Sequence, residues 1–352
     1  MSHATLSGRL YLDHAATTPI LPKAREAMLR ALESWANPSS PHADGRAARA
    51  ALEDARARIA AALGWHDHVI FTSGASEAIA IALTRAKARR IVTSTVEHDA
   101  VMRVTKDAER LGVDEGGGVR LPFDVADSLV AIQHVNNETG VIQPLDALSA
   151  VVRKQGGLVF ADCSQSAGKL PLPQADMIAI SAHKFGGPSG VGALLIRDLT
   201  LIHPSGGQEQ GYRAGTENVP AVMSMAVALE ARLDWLGQAA ELRQFLDAAI
   251  EEAGGEVVAR DSRRLPAITS YRMPGVASSV QLIQFDMAGI SVSAGSACSS
   301  GTLKASPVLT AMGWDAKAAG EVVRVSFGPF TTHADVERFL GTWNSIYARA
   351  RR

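Results

Sequence analysis

Two polar side chains that follow buried apolar runs could hold and activate a cofactor. Asp162 follows the run 157–161, and Lys184 follows Met177–Ser181 within Ser-Ala-His-Lys-Phe-Gly-Gly-Pro. If both runs are parallel strands, their carboxyl ends deliver the two side chains to one crevice. A lysine that forms a Schiff base and a carboxylate that keeps a pyridine nitrogen protonated are what pyridoxal 5'-phosphate (PLP) chemistry needs. Taken alone, Lys184 is more typical of a solvated surface lysine, and Asp162 of a helix cap.

Three further polar segments follow apolar runs. Thr-Ser-Gly-Ala-Ser-Glu at residues 72–77 opens a helical pattern, whose first backbone N–H groups, aided by Ser76, would bind a phosphate. His98 could stack on an aromatic cofactor ring and exchange protons above it; a helix-capping or core histidine is the alternative. Asn137 could hydrogen-bond a phenolate oxygen of the cofactor, and turn formation is its alternative.

Two residues in the C-terminal part could act on a substrate. Cys298 lies among small, turn-forming residues in Ser-Ala-Gly-Ser-Ala-Cys-Ser-Ser-Gly, a setting typical of an accessible thiol nucleophile or of an idle loop cysteine. Arg324 interrupts an apolar strand and needs a partner, which could be a substrate carboxylate or an internal salt bridge. Cys163 follows a buried strand and is interpreted as a small core residue.

Composition narrows the class of protein. A net charge of −1 and 5% aromatic residues argue against a nucleic-acid-binding surface. Residues 1–9 lack the apolar core of a signal peptide, and no apolar stretch approaches the roughly 18 residues of a membrane span. Two cysteines cannot build a disulfide framework or a cysteine-rich zinc site, which favours a cytoplasmic enzyme. A nucleotide-binding P-loop is excluded because Cys163 and Leu170 stand where it needs Gly and Ser or Thr.

Hydrophobic periodicity predicts an α/β fold. Short apolar runs alternate with helical segments, which indicates a mostly parallel sheet covered by helices. We predict a large α/β domain at residues 19–237 and a smaller α+β domain at 1–18 and 238–352. The predicted strands are Val69–Thr72, Arg90–Thr95, Leu129–Val135, Leu158–Ala161, Met177–Ser181, Gly192–Ile196, Ala267–Arg272 and Val322–Phe327. The predicted helices are Ala43–Leu63, Ser76–Lys87, Ala100–Leu111, Val219–Leu236 and a last helix that begins at Thr332.

The order of these motifs resembles a known family. From Tyr-Leu-Asp-His-Ala-Ala-Thr-Thr-Pro at 11–19 to Arg-Val-Ser-Phe-Gly at 324–328, the chain resembles the cysteine desulfurases of the class V aminotransferase superfamily. These are fold-type I PLP enzymes, and the chain is most similar to the group with a long Ser-Ala-Cys-Ser-Ser-Gly loop. The resemblance implies an aminotransferase-like homodimer that converts L-cysteine to L-alanine. It also implies a persulfide on Cys298, which passes to a thiol acceptor such as an iron–sulfur scaffold or a tRNA-thiolation protein.

The resemblance also implies a role for each candidate residue. Lys184 would carry the Schiff base and move the α-proton, Asp162 would pair with the pyridine nitrogen, and Cys298 would attack the substrate sulfur. Arg324 and Asn137 would bind the substrate carboxylate, and His98 would stack on the ring and carry a proton. The other cofactor contacts would come from Ala75, Ser76, Gln165, Ser181, His183 and, from a partner subunit, Thr216.

Some positions differ from the usual family residues. Gly186, Ser189 and Gln210 replace a common aromatic residue, lysine and arginine, and the segment 98–137 is shorter. These differences lie at the rim of the expected site and leave the sulfur acceptor open. The alternatives are a related PLP lyase or transaminase acting on selenocysteine or cysteine sulfinate, and a non-catalytic sulfur-relay protein.

Overall fold

The strands end close to where the apolar runs end. The computed structural model describes residues 8–34, 36–120, 124–231, 234–295 and 305–351. In chain order, its strands are β1 Leu10–Tyr11, β2 His68–Thr72, β3 Arg90–Ser94, β4 Glu109–Leu111, β5 Ser128–Gln133, β6 Leu158–Asp162, β7 Met177–Ser181, β8 Gly192–Ile196, β9 Glu256–Val257, β10 Ile268–Arg272, β11 Ile290–Ser291 and β12 Val322–Ser326.

Helices cover these strands and connect them. They are α1 Pro22–Glu33, α2 Ala43–Leu63, α3 Ala75–Arg85, α4 Asp99–Val104, α5 Leu145–Lys154, α6 Val219–Glu230, α7 Leu236–Glu252, α8 Ser278–Met287, α9 Pro307–Ala311, α10 Ala316–Ala319 and α11 His333–Ala350. Within the described ranges, none of these helices has the length and apolar character to cross a bilayer.

A seven-stranded sheet organises the larger part of the chain. Its order is β2-β8-β7-β6-β5-β3-β4, and β8 runs antiparallel to both of its neighbours while the other pairs are parallel. This mostly parallel sheet confirms the predicted α/β class. Because β3, β5, β6 and β7 are parallel, their carboxyl ends lie along one edge of the sheet.

Alternate side chains of each central strand face opposite layers of helices. In β5, Val130 and Ile132 join the cluster beneath α1, α2, α5 and α6, whereas Leu129 and Ala131 join the cluster beneath α3 and α4. Burial on both faces explains why the strands read as continuous apolar runs. A separate cluster joins β10 and β12 to α7, α8 and α11 and includes Leu12. The predicted domain boundary at 237/238 stays a prediction.

Two predicted helices are wrong at their carboxyl ends. The helix predicted at Ala100–Leu111 ends at Val104, and Glu109–Leu111 instead pairs with β3 as an edge strand. Arg110 donates to the carbonyl and hydroxyl of Thr105, which bends the chain back toward the sheet. The helix from Val219 ends at Glu230 rather than Leu236, and Leu236 instead begins α7.

The N-terminal segment is attached to the C-terminal strands. β1 pairs in parallel with β11, and the amide of Ser326 donates to the carbonyl of Leu12 over 2.8 Å. The Ser326 hydroxyl accepts from the amide of Ala15 at 2.8 Å. Leu12 is fully buried, so the segment is held by apolar packing as well as by hydrogen bonds.

We expect Leu12→Ala to lower the free energy of unfolding by about 2–5 kcal/mol, because it leaves a cavity in a packed cluster. Leu32→Ala is the matched control, since Leu32 is 51% exposed on α1, and its effect should stay within about 0.5 kcal/mol. Urea unfolding of both variants measures the difference. Equal effects would contradict the anchoring role of Leu12.

Candidate active site

A cleft of about 690 Å³ opens at the carboxyl edge of the sheet. The ends of β2, β3, β5, β6 and β7 each contribute lining residues, as expected for a parallel sheet. Ten of the residues predicted from the sequence lie in this lining: Ala75, Ser76, His98, Asn137, Asp162, Gln165, Ser181, His183, Lys184 and Arg324. The structure therefore brings them together, although their individual roles remain predictions.

One predicted residue that the structure describes, Thr216, is not in this lining. Its side chain is exposed and does not line the cleft of its own chain. Cys298 lies outside the described residues. Cys163 is fully buried behind β6, and burial raises the pKa of its thiol far above the ordinary value, which agrees with the interpretation of a core residue.

Lys184 reaches the cleft from the turn that follows β7. Its Nζ donates to the carbonyls of Ala15 and Ala16 at 2.6 and 2.8 Å. The Gln165 side chain also donates to the Ala15 carbonyl at 2.8 Å. The lysine head group is thus held by the N-terminal segment, on the same side of the cleft as Gln165.

Asp162 supplies a buried carboxylate at the end of β6. Its Oδ1 accepts from the amide and the hydroxyl of Ser164, at 2.9 and 2.5 Å. The neighbouring Gln165 Oε1 is buried without a hydrogen-bond partner in the described chain. A carboxylate next to a buried polar atom that lacks a hydrogen-bond partner suits a ligand that carries both a ring N–H and polar substituents.

The start of α3 has the features of an anion-binding helix terminus. Gly74 is the N-cap and offers no side-chain cap, so the first N–H groups of the helix remain for a ligand. A Cβ atom on Gly192 would collide with Gly74, so only glycine at 192 permits this close approach of the backbone. The one carboxylate in the first turn, Glu77, accepts from Arg213 at 3.0 Å. That ion pair offsets a charge that would repel phosphate.

His98 is both a helix cap and a cleft residue. Its Nδ1 accepts from the amide of Ala100 at 3.1 Å, so the proton of the neutral ring belongs on Nε2. Burial lowers the pKa of His98, and the nearby Lys184 ammonium lowers it further, against the opposing effect of Asp162. The cap therefore leaves the Nε2–H of the neutral ring as a hydrogen-bond donor, and acceptance of a further proton would require Nδ1 to give up the cap.

Glu97 is a buried residue that the sequence reading did not select. Its carboxyl accepts from the Ser94 hydroxyl at 2.5 Å and from the Gln133 amide at 2.8 Å. Burial raises the pKa of Glu97 to about 8, and the negative charge of Asp162 contributes to that rise. The contacts fix the His98 turn to the end of β5. The available signal was its position: Glu97 follows the end of β3 by three residues and directly precedes His98.

Turn formation after β5 involves Asn136 rather than Asn137. The Asn136 side chain accepts from the amides of Glu138 and Thr139 at 2.9 and 2.8 Å. The side chain of Asn137 is left to line the cleft, while its carbonyl accepts from Arg324 at 2.9 Å.

Arg324 has an internal partner. Its Nη2 donates to Asp13 Oδ1 at 2.7 Å, and the arginine side chain is 6% exposed. This is one of the two partners that the sequence left open. Arg324 Nε is buried without a hydrogen-bond partner in the described chain. Each terminal nitrogen makes one of the contacts above and has a second N–H, so the guanidinium keeps unused donors.

One position that differs from the usual family residue has a local explanation. Gly186 has φ +85°, in the left-handed region that favours glycine, and a Cβ there would collide with Leu21. Leu21 thus occupies the space beside the Lys184 turn. Ser189 lies at the rim of the cleft.

Comparison with known proteins is consistent with this geometry. Residues 10–339 match the family described as Aminotransferase class-V. Cysteine desulfurase IscS of Dictyoglomus turgidum is 37% identical, over 97% of this chain and 95% of the relative. An IscS-like cysteine desulfurase of Mycobacterium tuberculosis is also 37% identical, over 97% of both chains. A solved NifS-like protein has a TM-score of 0.88 and 32% identity, and covers 97% of this chain and 100% of its own.

We expect Glu97→Gln to reduce the pH dependence of stability. Between the ordinary pKa of 4.5 and the folded value of about 8, the native state holds a proton that the unfolded chain has released. The free energy of unfolding therefore falls as pH rises through this range. Glutamine resembles the protonated carboxyl and removes this dependence.

Urea midpoints at pH 6 and pH 8 measure the effect. Glu109→Gln is the control, because Glu109 is an exposed carboxylate on β4 and should keep the wild-type difference. A Glu97→Gln protein whose midpoint changes with pH as much as that of the control would show that Glu97 does not hold the proton.

Proposed function

The chain belongs to the class V aminotransferase family and acts as a PLP-dependent cysteine desulfurase, and we propose how its residues carry out that reaction. The observation that supports the proposal is the convergence of Lys184, Asp162 and His98 in one cleft beside the uncapped start of α3. When bound there, PLP withdraws electrons from the α-carbon of the substrate amino acid.

The cleft has suitable groups for each part of the cofactor. The Asp162 carboxylate would keep the ring nitrogen protonated, as an opposite charge at short range does. The first N–H groups of α3, with Ser76, Ser181 and His183, would bind the phosphate. Burial and the charge of Lys184 lower the pKa of His183 to about 4, so this histidine binds as a neutral hydrogen-bonding group. Gln165 and Asn137 would contact the phenolic side of the ring.

Lys184 and His98 would move the protons. The Lys184 amine takes the proton from the substrate α-carbon, which needs the neutral amine. Burial lowers the pKa of His98 and favours its neutral form. To carry a proton from a thiol, His98 would have to release the Ala100 amide from Nδ1, because Nε2 already holds the proton of the neutral ring. Arg324 would hold the substrate α-carboxylate with help from Asn137.

Cys298 would receive the sulfur. Its thiolate attacks the substrate sulfur, so an S–S bond forms and the bond between the substrate sulfur and Cβ breaks. The electron pair of that bond stays with the carbon skeleton, which takes up protons and leaves as L-alanine. The persulfide then passes to a thiol on an acceptor protein, an iron–sulfur scaffold or a tRNA-thiolation protein, and we place this transfer in the cytoplasm.

We further propose a homodimer in which Thr216 completes the phosphate site of the partner. The loop before Thr216 is held rigidly: Glu209 accepts from both Arg56 terminal nitrogens, at 2.7 and 2.9 Å, and from the Phe71 amide at 2.8 Å. These contacts stabilise two consecutive non-glycine residues with positive φ, Glu209 and Gln210. A rigid loop that presents an exposed threonine outside the lining of its own cleft suits a contribution to a second subunit.

We expect Cys298→Ala to abolish sulfide release from L-cysteine under reductant while the absorbance of bound PLP persists. Cys163→Ala is the control and should retain most of the activity, because Cys163 is buried and its raised pKa keeps it as a thiol. Sulfide and alanine assays with spectra of both variants test this. Full sulfide release without Cys298 would instead favour a lyase or transaminase that needs no cysteine nucleophile.

We expect Lys184→Ala and Thr216→Glu chains to be inactive alone and to complement each other when coexpressed. In a mixed dimer, one site combines the intact Lys184 of one chain with the intact Thr216 of the other, and the second site lacks both residues. Random pairing in a two-fold dimer then restores up to about a quarter of the wild-type activity. Mixed dimers isolated by two affinity tags should carry the activity, and inactive mixed dimers would contradict the shared site.

A further inference from the structure

The arginine expected to bind the substrate carboxylate already contacts a fixed carboxylate. Asp13 Oδ1 accepts from Arg324 Nη2, and the Asn137 carbonyl accepts from Nη1. We propose that Asp13 is a positioning residue that orients the Arg324 guanidinium for recognition of the substrate α-carboxylate. The inference rests on the proposed function and extends it to a residue with no role in the chemistry itself.

The two contacts define the plane of the guanidinium. They fall on different terminal nitrogens, at 2.7 and 2.9 Å, and come from separate parts of the chain. Each terminal nitrogen carries a second N–H, and Nε is buried. A substrate carboxylate in the cleft therefore has to use the remaining terminal N–H groups, and a bidentate contact depends on their orientation.

The carboxylate of Asp13 is not needed to shape its own turn. The Asp13 carbonyl accepts from the amides of Ala16 and Thr17, at 3.0 and 3.3 Å, and from the Tyr11 hydroxyl at 3.1 Å. In the described part of the chain, the hydrogen bond of the Asp13 side chain goes to Arg324. Asparagine at this position therefore keeps the turn and removes the charge that holds the arginine.

Charge balance gives a second reason for the pair. Arg324 is almost wholly buried, and a buried charge without a partner is costly. With Asp13 in place, the charge of Arg324 is balanced before substrate binds. Affinity then depends on a well-oriented fork of donors rather than on an unbalanced positive charge, and loss of Asp13 loses orientation although it increases the positive charge.

The test compares ligands with and without a carboxylate on the PLP-loaded enzyme. In Asp13→Asn, KM for L-cysteine should rise about tenfold, as expected for loss of a charge-assisted hydrogen bond. The value of kcat should change by less than about twofold, because the contact with the carboxylate has the same strength in the ground state and in the transition state. The inhibition constant of cysteamine, which lacks the carboxylate, should not change. Calorimetry with L-alanine should show the same loss of affinity without turnover.

Two further variants separate positioning from loss of structure. Glu321→Gln breaks a comparable ion pair, 2.8 Å to Arg272, next to β12 but outside the cleft, and should leave KM and kcat as in the wild type. Asp13→Asn added to Arg324→Gln should cause no further change in KM, because the group that Asp13 orients is gone.

Three results would overturn the inference. The first is a KM for L-cysteine that is unchanged in Asp13→Asn, or one that is lower, which would make Asp13 a competitor of the substrate carboxylate. The second is an equal loss for cysteamine, and the third is wild-type protein that binds L-alanine no better than ethylamine. Failure of the proposed function is a separate outcome: no alanine would form from L-cysteine in any variant, while the L-alanine titration would still report on Asp13.

Discussion

The Ala15 carbonyl is the contact on which the arrangement of the cleft depends. It accepts hydrogen bonds from both Lys184 and Gln165, and thus joins the N-terminal segment to the carboxyl edge of the seven-stranded sheet. The same segment is fixed to the C-terminal strands by the buried Leu12 and by the Ser326 hydroxyl. One short stretch of chain therefore determines how the groups for the cofactor face the group for the substrate.

The charged side chains at the cleft are buried or half-buried, and most of them form ion pairs. Arg324 is paired with Asp13, and Glu77 with Arg213. Where no partner balances a charge, the neutral form is favoured: burial raises the pKa of Glu97 and lowers that of His98. Such shifts at one site are typical of catalytic centres, because a proton-transfer group must change its charge near neutral pH.

Lys169 shows the same effect close to the reacting lysine. Burial and the Lys184 ammonium lower the pKa of Lys169 to about 7. Its Nζ donates to the Gln165 carbonyl at 3.1 Å. Gln165, which contacts the Ala15 carbonyl through its side chain, is therefore also fixed through its backbone. The electrostatics of the cleft thus extend beyond the residues that line it.

Where local pattern controls structure, the sequence is a good guide. The strands β7 and β8 and the helix α2 have their predicted bounds, because burial on both faces or an alanine-rich stripe leaves one stable choice. The carboxyl half of the predicted helix at 100–111 is wrong, because pairing of Glu109–Leu111 with β3 outweighs helix propensity. That pairing requires the free edge of β3, and a short stretch of sequence does not show that such an edge is available.

The sequence by itself determined the order of the strands along the chain and the polar residues that follow them, and hence the family and its cofactor chemistry. Only the tertiary structure decided which partner Arg324 has and how Glu97 joins the His98 turn to the end of β5. The physical reason is distance along the chain. Asp13 and Arg324 are 311 residues apart, and a contact of that kind forms only when separate strands and their connections have packed.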